Sequence, residues 1–67
     1  MKIRYFPDTD TLLVTLSENP VVETTDVNED VLLDLDGKGK VVSITLEHAA
    51  QQTDVNEFSY QLAAGQS

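Results

Sequence analysis

Short runs in which apolar and polar residues alternate with a period of two constrain this chain more than any other feature. Side chains of a β-strand point alternately to the two faces of a sheet, so such runs predict strands with one apolar face. The clearest pair spans residues 31–35 and 41–46, and the glycines of the segment between them favour a tight reversal. A second pair spans residues 2–6 and 11–16, separated by the turn-forming Pro7-Asp8-Thr9-Asp10. Both pairs predict antiparallel hairpins.

The remaining segments predict smaller elements. Residues 21–27 combine β-branched and polar residues, which is typical of an edge strand or a connecting arm. Residues 47–52 contain good helix formers and predict one or two helical turns. After Asp54, the alternation of Phe58, Tyr60 and Leu62 predicts a last short strand, with a helix beginning near Asp54 as the alternative.

Together these elements predict an α+β fold, a small antiparallel β-sheet of hairpins with one short helix near the C-terminal third. Residues 1–62 form a single domain in this prediction, and residues 63–67 form a frayed tail. A domain of 67 residues buries only a small apolar core, which makes its stability marginal. This chain also has no cysteine to form disulfides. Domains of this size often gain the missing burial by oligomerising.

Charge excludes several classes of partner. The net charge is −8, from twelve acidic and four basic residues, so the chain repels nucleic-acid phosphates and anionic membrane surfaces. We therefore expect no nucleic acid and no membrane among its partners, whereas a basic protein partner is compatible with this charge. No signal peptide and no apolar run near the ~20 residues of a membrane span are present, so we expect a cytoplasmic protein.

A calcium loop is one interpretation of the segment that begins at Asp34 and Asp36. An EF-type loop needs an oxygen ligand at its fifth position and a bidentate glutamate at its twelfth, but Lys38 and Thr45 occupy these positions. We interpret the segment as a hairpin turn, and we predict no metal-binding residues.

Catalytic interpretations are equally poorly supported. Two acidic groups fall in turn-like segments, and carboxylates alone do not form a catalytic site. His48 is the only histidine, predicted to be a half-exposed helix residue, and no serine lies in a nucleophile elbow. Phe6, Phe58 and Tyr60 are interpreted as core or interface aromatics. The two acidic groups are Asp8 with Asp10, and Asp26 with Glu29 and Asp30. We therefore predict no catalytic residues, no cofactor-binding residues and no cofactor, and a protein that is not an enzyme.

The order of the motifs resembles a known family. Residues 1–5 read Met-Lys-Ile-Arg-Tyr, residues 31–36 read Val-Leu-Leu-Asp-Leu-Asp, and residues 39–44 read Gly-Lys-Val-Val-Ser-Ile. Over residues 1–52 the chain resembles the small prokaryotic domain-of-unknown-function family 2283. The resemblance implies no activity, cofactor or catalytic residue. Because some members are encoded beside small toxin-like proteins, it also raises an antitoxin-like or accessory role as an alternative.

These observations lead to one functional expectation and two alternatives. We expect a non-enzymatic protein of unknown role that acts through protein–protein contacts. The alternatives are an acidic, antitoxin-like partner of a small basic toxin, and a small-molecule-binding or enzymatic domain with a concave polar pocket.

A homo-oligomer, most simply a two-fold dimer, is the expected assembly. Leu13, Leu32 and Val41 lie opposite the main apolar face of their strands and need cover that one short helix cannot supply. The alternative is that the C-terminal segment folds back and covers them within one chain, through Val55, Phe58, Tyr60 and Leu62.

Overall fold

A five-stranded antiparallel sheet with one short helix near the C-terminal end makes up the fold, as the alternation predicts. The computed structural model describes residues 1–64. The elements in chain order are β1 (Lys2–Phe6), β2 (Thr11–Thr15), β3 (Glu23–Asn28), β4 (Val31–Leu35), β5 (Val41–Glu47) and α1 (Ala49–Gln52).

The strand order across the sheet is β1-β2-β5-β4-β3. Three neighbouring pairs are hairpins between strands that follow each other in the sequence, and these include both predicted hairpins. The fourth pair, β2 with β5, joins distant parts of the chain and makes β5 the central strand. Since β5 has a neighbour on each side, it also carries the two buried strand residues, Val42 and Ser43.

The β4–β5 turn is held by the carboxylate of Asp36. Its Oδ1 accepts hydrogen bonds from the backbone N–H groups of Lys38 at 2.8 Å and Lys40 at 3.0 Å. Gly39 lies in the left-handed region with φ of 80°, and its N–H donates to the carbonyl of Asp36 at 3.0 Å. The backbone conformation therefore strongly favours glycine at position 39.

Strand β3 is the edge strand that residues 21–27 predict, although it begins at Glu23 and ends at Asn28. Every residue in it is exposed, and its pairing with β4 is interrupted by a bulge between Asp26 and Asn28. Bulges and charged side chains on edge strands hinder pairing with a strand of another molecule. The opposite edge, β1, carries Lys2 and Arg4.

The helix begins later than the sequence predicts. Strand β5 continues through Glu47, whose N–H donates to the carbonyl of Asp30 at 2.7 Å. His48 then adopts a left-handed conformation with φ of 57° at the N-cap, so the interpretation of His48 as a residue within the helix is wrong. Only Ala49–Gln52 is helical.

The predicted last strand at residues 58–62 is also wrong. Residues 53–64 contain neither a strand nor a helix, so the alternative helix from Asp54 is wrong as well. Alternation alone does not make a strand, because a strand needs a neighbour to satisfy its backbone hydrogen bonds. Of the predicted frayed tail at 63–67, residues 65–67 lie outside the described part of the chain.

Among the described residues, no helix has the length and apolar character that crossing a membrane requires.

The positive φ of Gly39 generates a stability prediction. We expect Gly39→Val to lower the free energy of unfolding by about 1–2 kcal/mol or more, because a β-branched residue strongly disfavours left-handed backbone. No heavy atom lies within 4 Å of a Cβ built at this position, so the backbone conformation alone accounts for the cost. Urea unfolding measures the change.

Gly37→Val is the matched control in the same turn. Gly37 has no positive φ, and a Cβ there would contact Val22 at an ordinary 3.8 Å. Equal destabilisation by the two substitutions would contradict the conformational explanation.

Candidate interaction surface

Strand register collects most of the large apolar side chains on one side of the sheet. One row runs Ile3, Val14, Ile44 and Leu33 across four strands, and a parallel row runs Tyr5, Leu12, Leu46 and Val31. Leu35 continues this side along β4 and Val42 along β5, where a register shift makes Val41 the partner of Leu35. We call these ten residues the apolar face: Ile3, Tyr5, Leu12, Val14, Val31, Leu33, Leu35, Val42, Ile44 and Leu46.

The apolar face is only partly buried. Val42, at 5% exposure, is its only buried member, and Ala49 in α1 is the only other buried apolar residue among those described. The chain exposes 5341 Å² of surface. A folded monomer of 7.4 kDa is expected to expose roughly 4,200 Å², so the excess is about 1,100 Å². The nine members other than Val42 are half-buried, so the apolar face is not fully covered by its own chain.

The chain supplies cover at one corner of this face. Residues 53–58 line a groove together with Ile3, Tyr5 and Leu12, and Val55 is half-buried there. Further along, the side chains of the same segment leave the sheet, and Phe58, Tyr60 and Leu62 are 61%, 71% and 83% exposed. The C-terminal segment therefore packs on the apolar face, and it covers the β1–β2 part of it.

The opposite side of the sheet is mixed in character. Leu13 and Leu32 lie in one row with Arg4, Thr45 and Asp26, and both leucines are half-buried. The row beside it contains Lys2, Thr15, Ser43, Asp34 and Thr24. The sequence indicates that this second side needs cover, and its two leucines are half-buried, as are nine of the ten residues of the apolar face. We call this side the polar face.

Asp10 fixes the β1–β2 turn to the start of α1. Its Oδ1 accepts hydrogen bonds from Tyr5 Oη at 2.7 Å and from the Ala50 N–H at 2.9 Å, and its carbonyl accepts the Ala49 N–H at 3.0 Å. The bond from Tyr5, followed by that from Ala50, lowers the pKa of Asp10. Asp10 itself has a left-handed backbone with φ of 55°, which aspartate tolerates better than most residues.

His48 makes a second contact at the same end of the sheet. Its Nδ1 lies 2.8 Å from Asp30 Oδ1, and this hydrogen bond raises the pKa of His48. The imidazole is 60% exposed and faces a shallow groove that also contains Glu29, Gln51 and Gln52. The pair therefore ties the β3–β4 turn to the residue that precedes α1.

The carboxylates of the rejected calcium loop serve the fold. Asp34 accepts hydrogen bonds from Ser43 Oγ at 2.6 Å and Thr24 Oγ1 at 2.7 Å, which together lower its pKa. Asp36 accepts the two turn N–H groups and also Asn19 Nδ2 at 3.0 Å, and its pKa is lowered too. Residues 1–64 contain no group of three or more side chains placed to hold a metal ion.

The two acidic groups singled out in the sequence lie on different parts of the sheet. Asp8 and Asp10 belong to the β1–β2 turn, whereas Glu29 and Asp30 belong to the β3–β4 turn and Asp26 to β3. What the structure does bring together is Asp30 with His48 and Asp10 with Tyr5 and α1. Sequence reasoning missed both contacts, and the only signal was chemical: Asp and His are among the residues that most often adopt left-handed backbone.

Comparison with known proteins gives one match. The model of the family described as "Protein of unknown function (DUF2283)" matches residues 2–49, which is more than half of the chain and includes all five strands. Neither a curated protein nor a solved structure shows significant similarity to the chain.

The hydrogen bonds of Asp34 and Asp36 predict that the turn binds no divalent metal. A cation would have to displace donors that already occupy the carboxylate oxygens, and Lys38 stands where a ligand is needed. Calorimetric titration with Ca²⁺ and Zn²⁺ should give only weak, salt-sensitive heats. A saturable micromolar site that disappears in Asp34→Asn and Asp36→Asn would contradict this.

The His48–Asp30 pair predicts a pH dependence of stability. Because the pKa of His48 is higher in the folded chain than its ordinary 6.5, the contribution of the pair is fully present below about pH 6.5. It is lost as the pH rises through the raised pKa of the folded state. We expect the loss to be small, since the imidazole is mostly exposed.

His48→Asn tests this pH dependence, since asparagine tolerates left-handed backbone but does not titrate. Urea unfolding at several pH values should show a decline in stability between pH 6 and 8 in the wild type that is reduced in the variant. NMR titration of the single imidazole should give a pKa above 6.5. Identical pH profiles of the two proteins would refute the contribution of the pair.

Proposed function

The chain belongs to DUF2283, a family of proteins of unknown function, and we propose that it is a non-enzymatic protein that acts through protein–protein contact. Its working form in this proposal is a homodimer, in which the apolar faces of two copies pack against each other. The observation that carries the proposal is the partly exposed apolar face.

Exposed area supports the presence of a partner. Soluble monomers rarely expose a large continuous apolar patch, and such patches often mark interaction sites. The excess of about 1,100 Å² is comparable to the ~800 Å² that each partner buries in a standard protein–protein interface. The exposed Phe58, Tyr60 and Leu62 of the C-terminal segment contribute to this excess.

A second copy fits this surface in shape. Two antiparallel sheets that pack face to face are separated by ~10 Å, and their side chains interdigitate to form one core. A two-fold axis places the same patch on both sides of the interface, so each copy covers the other. The protein would then become a two-layered β-sandwich.

A second copy also fits this surface in charge. None of the ten residues of the apolar face is charged. Among the strand residues on this side of the sheet only Glu23 of β3 is charged, and Asp54 and Glu57 lie in the segment that lines the groove at its β1–β2 corner. The carboxylates of Asp34, Asp36 and Asp10 lie on the polar face or in turns. At physiological salt the screening length is ~8 Å, so repulsion between the two copies is modest.

The arrangement of reactive groups supports the non-enzymatic part of the proposal. His48 is paired with Asp30, and the Ser43 hydroxyl, which is buried, donates to Asp34. Neither arrangement pairs a hydroxyl nucleophile with a histidine base. We also place the protein in the cytoplasm, for which a chain without cysteine is suited.

A basic protein partner is the second candidate, as in an antitoxin-like role. The exposed β3 edge and its turn carry four carboxylates, which is the charge that such a partner would require. They are Glu23, Asp26, Glu29 and Asp30. A complex at this edge would leave the apolar face free for the dimer.

Light scattering coupled to size exclusion tests the dimer directly. We expect a mass twice the 7.4 kDa of the chain at micromolar concentration, and a melting temperature that rises with protein concentration. A 7.4 kDa species at the highest loading would contradict the proposal.

Leu33→Gln and Leu32→Gln form a matched pair for locating the interface. The two leucines are neighbours in β4, both half-buried, but Leu33 lies on the apolar face and Leu32 on the polar face. Burial of one leucine contributes about 1.5–3 kcal/mol, and a two-fold interface contains it twice. We expect Leu33→Gln to raise the dimer Kd on the order of a hundredfold or more, and Leu32→Gln to change it little.

Equal effects of these two substitutions would show that the apolar face is not the interface. Circular dichroism on both variants verifies that each retains its sheet.

A further inference from the structure

We propose that, in the dimer proposed above, residues 58–62 of each copy lie across the apolar face of the other copy. This inference rests on the proposed dimer and adds the segment that completes its interface. We call residues 58–62 the C-terminal arm.

The side chains of the arm are unusually exposed for their type. Phe58, Tyr60 and Leu62 are 61%, 71% and 83% exposed, although each is a large apolar or aromatic residue. They alternate with Ser59 and Gln61, so an extended arm presents its three large side chains on one side. A segment with this pattern is suited to lie on an apolar surface.

Charge distribution distinguishes the arm from the rest of the chain. The residues from Phe58 to the end of the sequence, ten in all, form the longest stretch without Asp, Glu, Lys or Arg. In a chain that is 24% charged, the arm can be buried without desolvating an ionised group. The apolar face shares this lack of charge.

The segment that leads into the arm makes local hydrogen bonds and lies at the corner of the apolar face. Thr53 N–H donates to the carbonyl of Ala49 at 2.9 Å, and Asn56 N–H donates to Asp54 Oδ1 at 2.9 Å. Residues 53–58 then line the groove formed with Ile3, Tyr5 and Leu12. The arm therefore starts at the margin of the area that a partner sheet would cover.

The length of the arm and the place where it begins are compatible with a crossing to the other copy. Five extended residues span about 16 Å, which corresponds to three or four strands at ~4.8 Å spacing. Within its own chain the arm leaves Phe58, Tyr60 and Leu62 exposed, even though the uncovered part of the apolar face is within reach. In a sandwich the partner's apolar face lies opposite the point where the arm begins.

Single cysteines introduced into a chain without any provide a direct test. A Tyr60→Cys chain is mixed with a Leu33→Cys chain that carries an affinity tag, and the mixture is unfolded and refolded so that the chains exchange partners. Because of the tag, the mixed disulfide differs in mass from either homodimer. We expect a mixed disulfide under mild oxidation. Tyr60→Cys with tagged Leu32→Cys is the matched control, and we expect at least tenfold less product because Leu32 lies on the polar face.

Substitution in the full-length chain gives an independent readout. Phe58→Ser, Tyr60→Ser and Leu62→Ser together should raise the dimer Kd at least tenfold, whereas Ser59→Ala with Gln61→Ala should leave it within twofold. Circular dichroism should show the same sheet in both, since residues 58–62 take no part in it.

The possible results separate this inference from the dimer itself. A wild-type dimer that forms no mixed disulfide and keeps its Kd in the triple variant overturns the arm exchange and leaves the dimer intact. A wild-type monomer overturns both. A third experiment uses a chain that carries both Tyr60→Cys and Leu33→Cys. If a disulfide forms within this single chain, and none forms between the two single-cysteine chains, the arm folds back on its own sheet and the arm exchange is overturned.

Discussion

The structure depends on one constraint: a sheet with an apolar side needs a second layer, and this chain provides almost none. Stable domains bury the apolar side of a sheet against another sheet or against helices. Here the second layer consists of four helical residues and the segment that follows them, which reaches Ile3, Tyr5 and Leu12. The partial exposure of the apolar face follows directly from this thin second layer.

Local chemistry determines most of the fold, and those parts could be predicted from the sequence. Alternation identifies the four strands of the two predicted hairpins, and the turn from Asp36 to Lys40 is specified by a carboxylate that accepts two N–H groups and by a glycine with positive φ. The pairing of β2 with β5 joins residues distant in the sequence, and no local pattern encodes it. The strand predicted at 58–62 is absent for a related reason. Its apolar and polar residues do alternate, but no neighbouring strand is present to pair with it.

The candidate surface was harder to predict, because it depends on what is missing from the chain rather than on a motif. The sequence indicates two-sided apolar strands through Leu13 and Leu32, yet on the sheet these leucines lie among polar neighbours that shield them in part. Asp10 and His48 were also unpredictable in their roles, since each acts through a left-handed backbone that only the folded chain reveals. Acidic residues that suggest chemistry in a sequence are used here to connect turns, strands and the helix.

The distribution of charge links these observations. A chain with a net charge of −8 is expected to carry carboxylates on every solvated surface, but its two uncharged surfaces are the apolar face and the end of the chain from Phe58. Asp34 and Asp36, by contrast, are held by hydrogen bonds on the polar face and in the β4–β5 turn. An ionised group buried at an interface is costly unless it is paired, so a surface that is buried on association should be free of charge. The absence of charge from these two surfaces, and its abundance on the others, is the pattern that burial of both against a second copy would require.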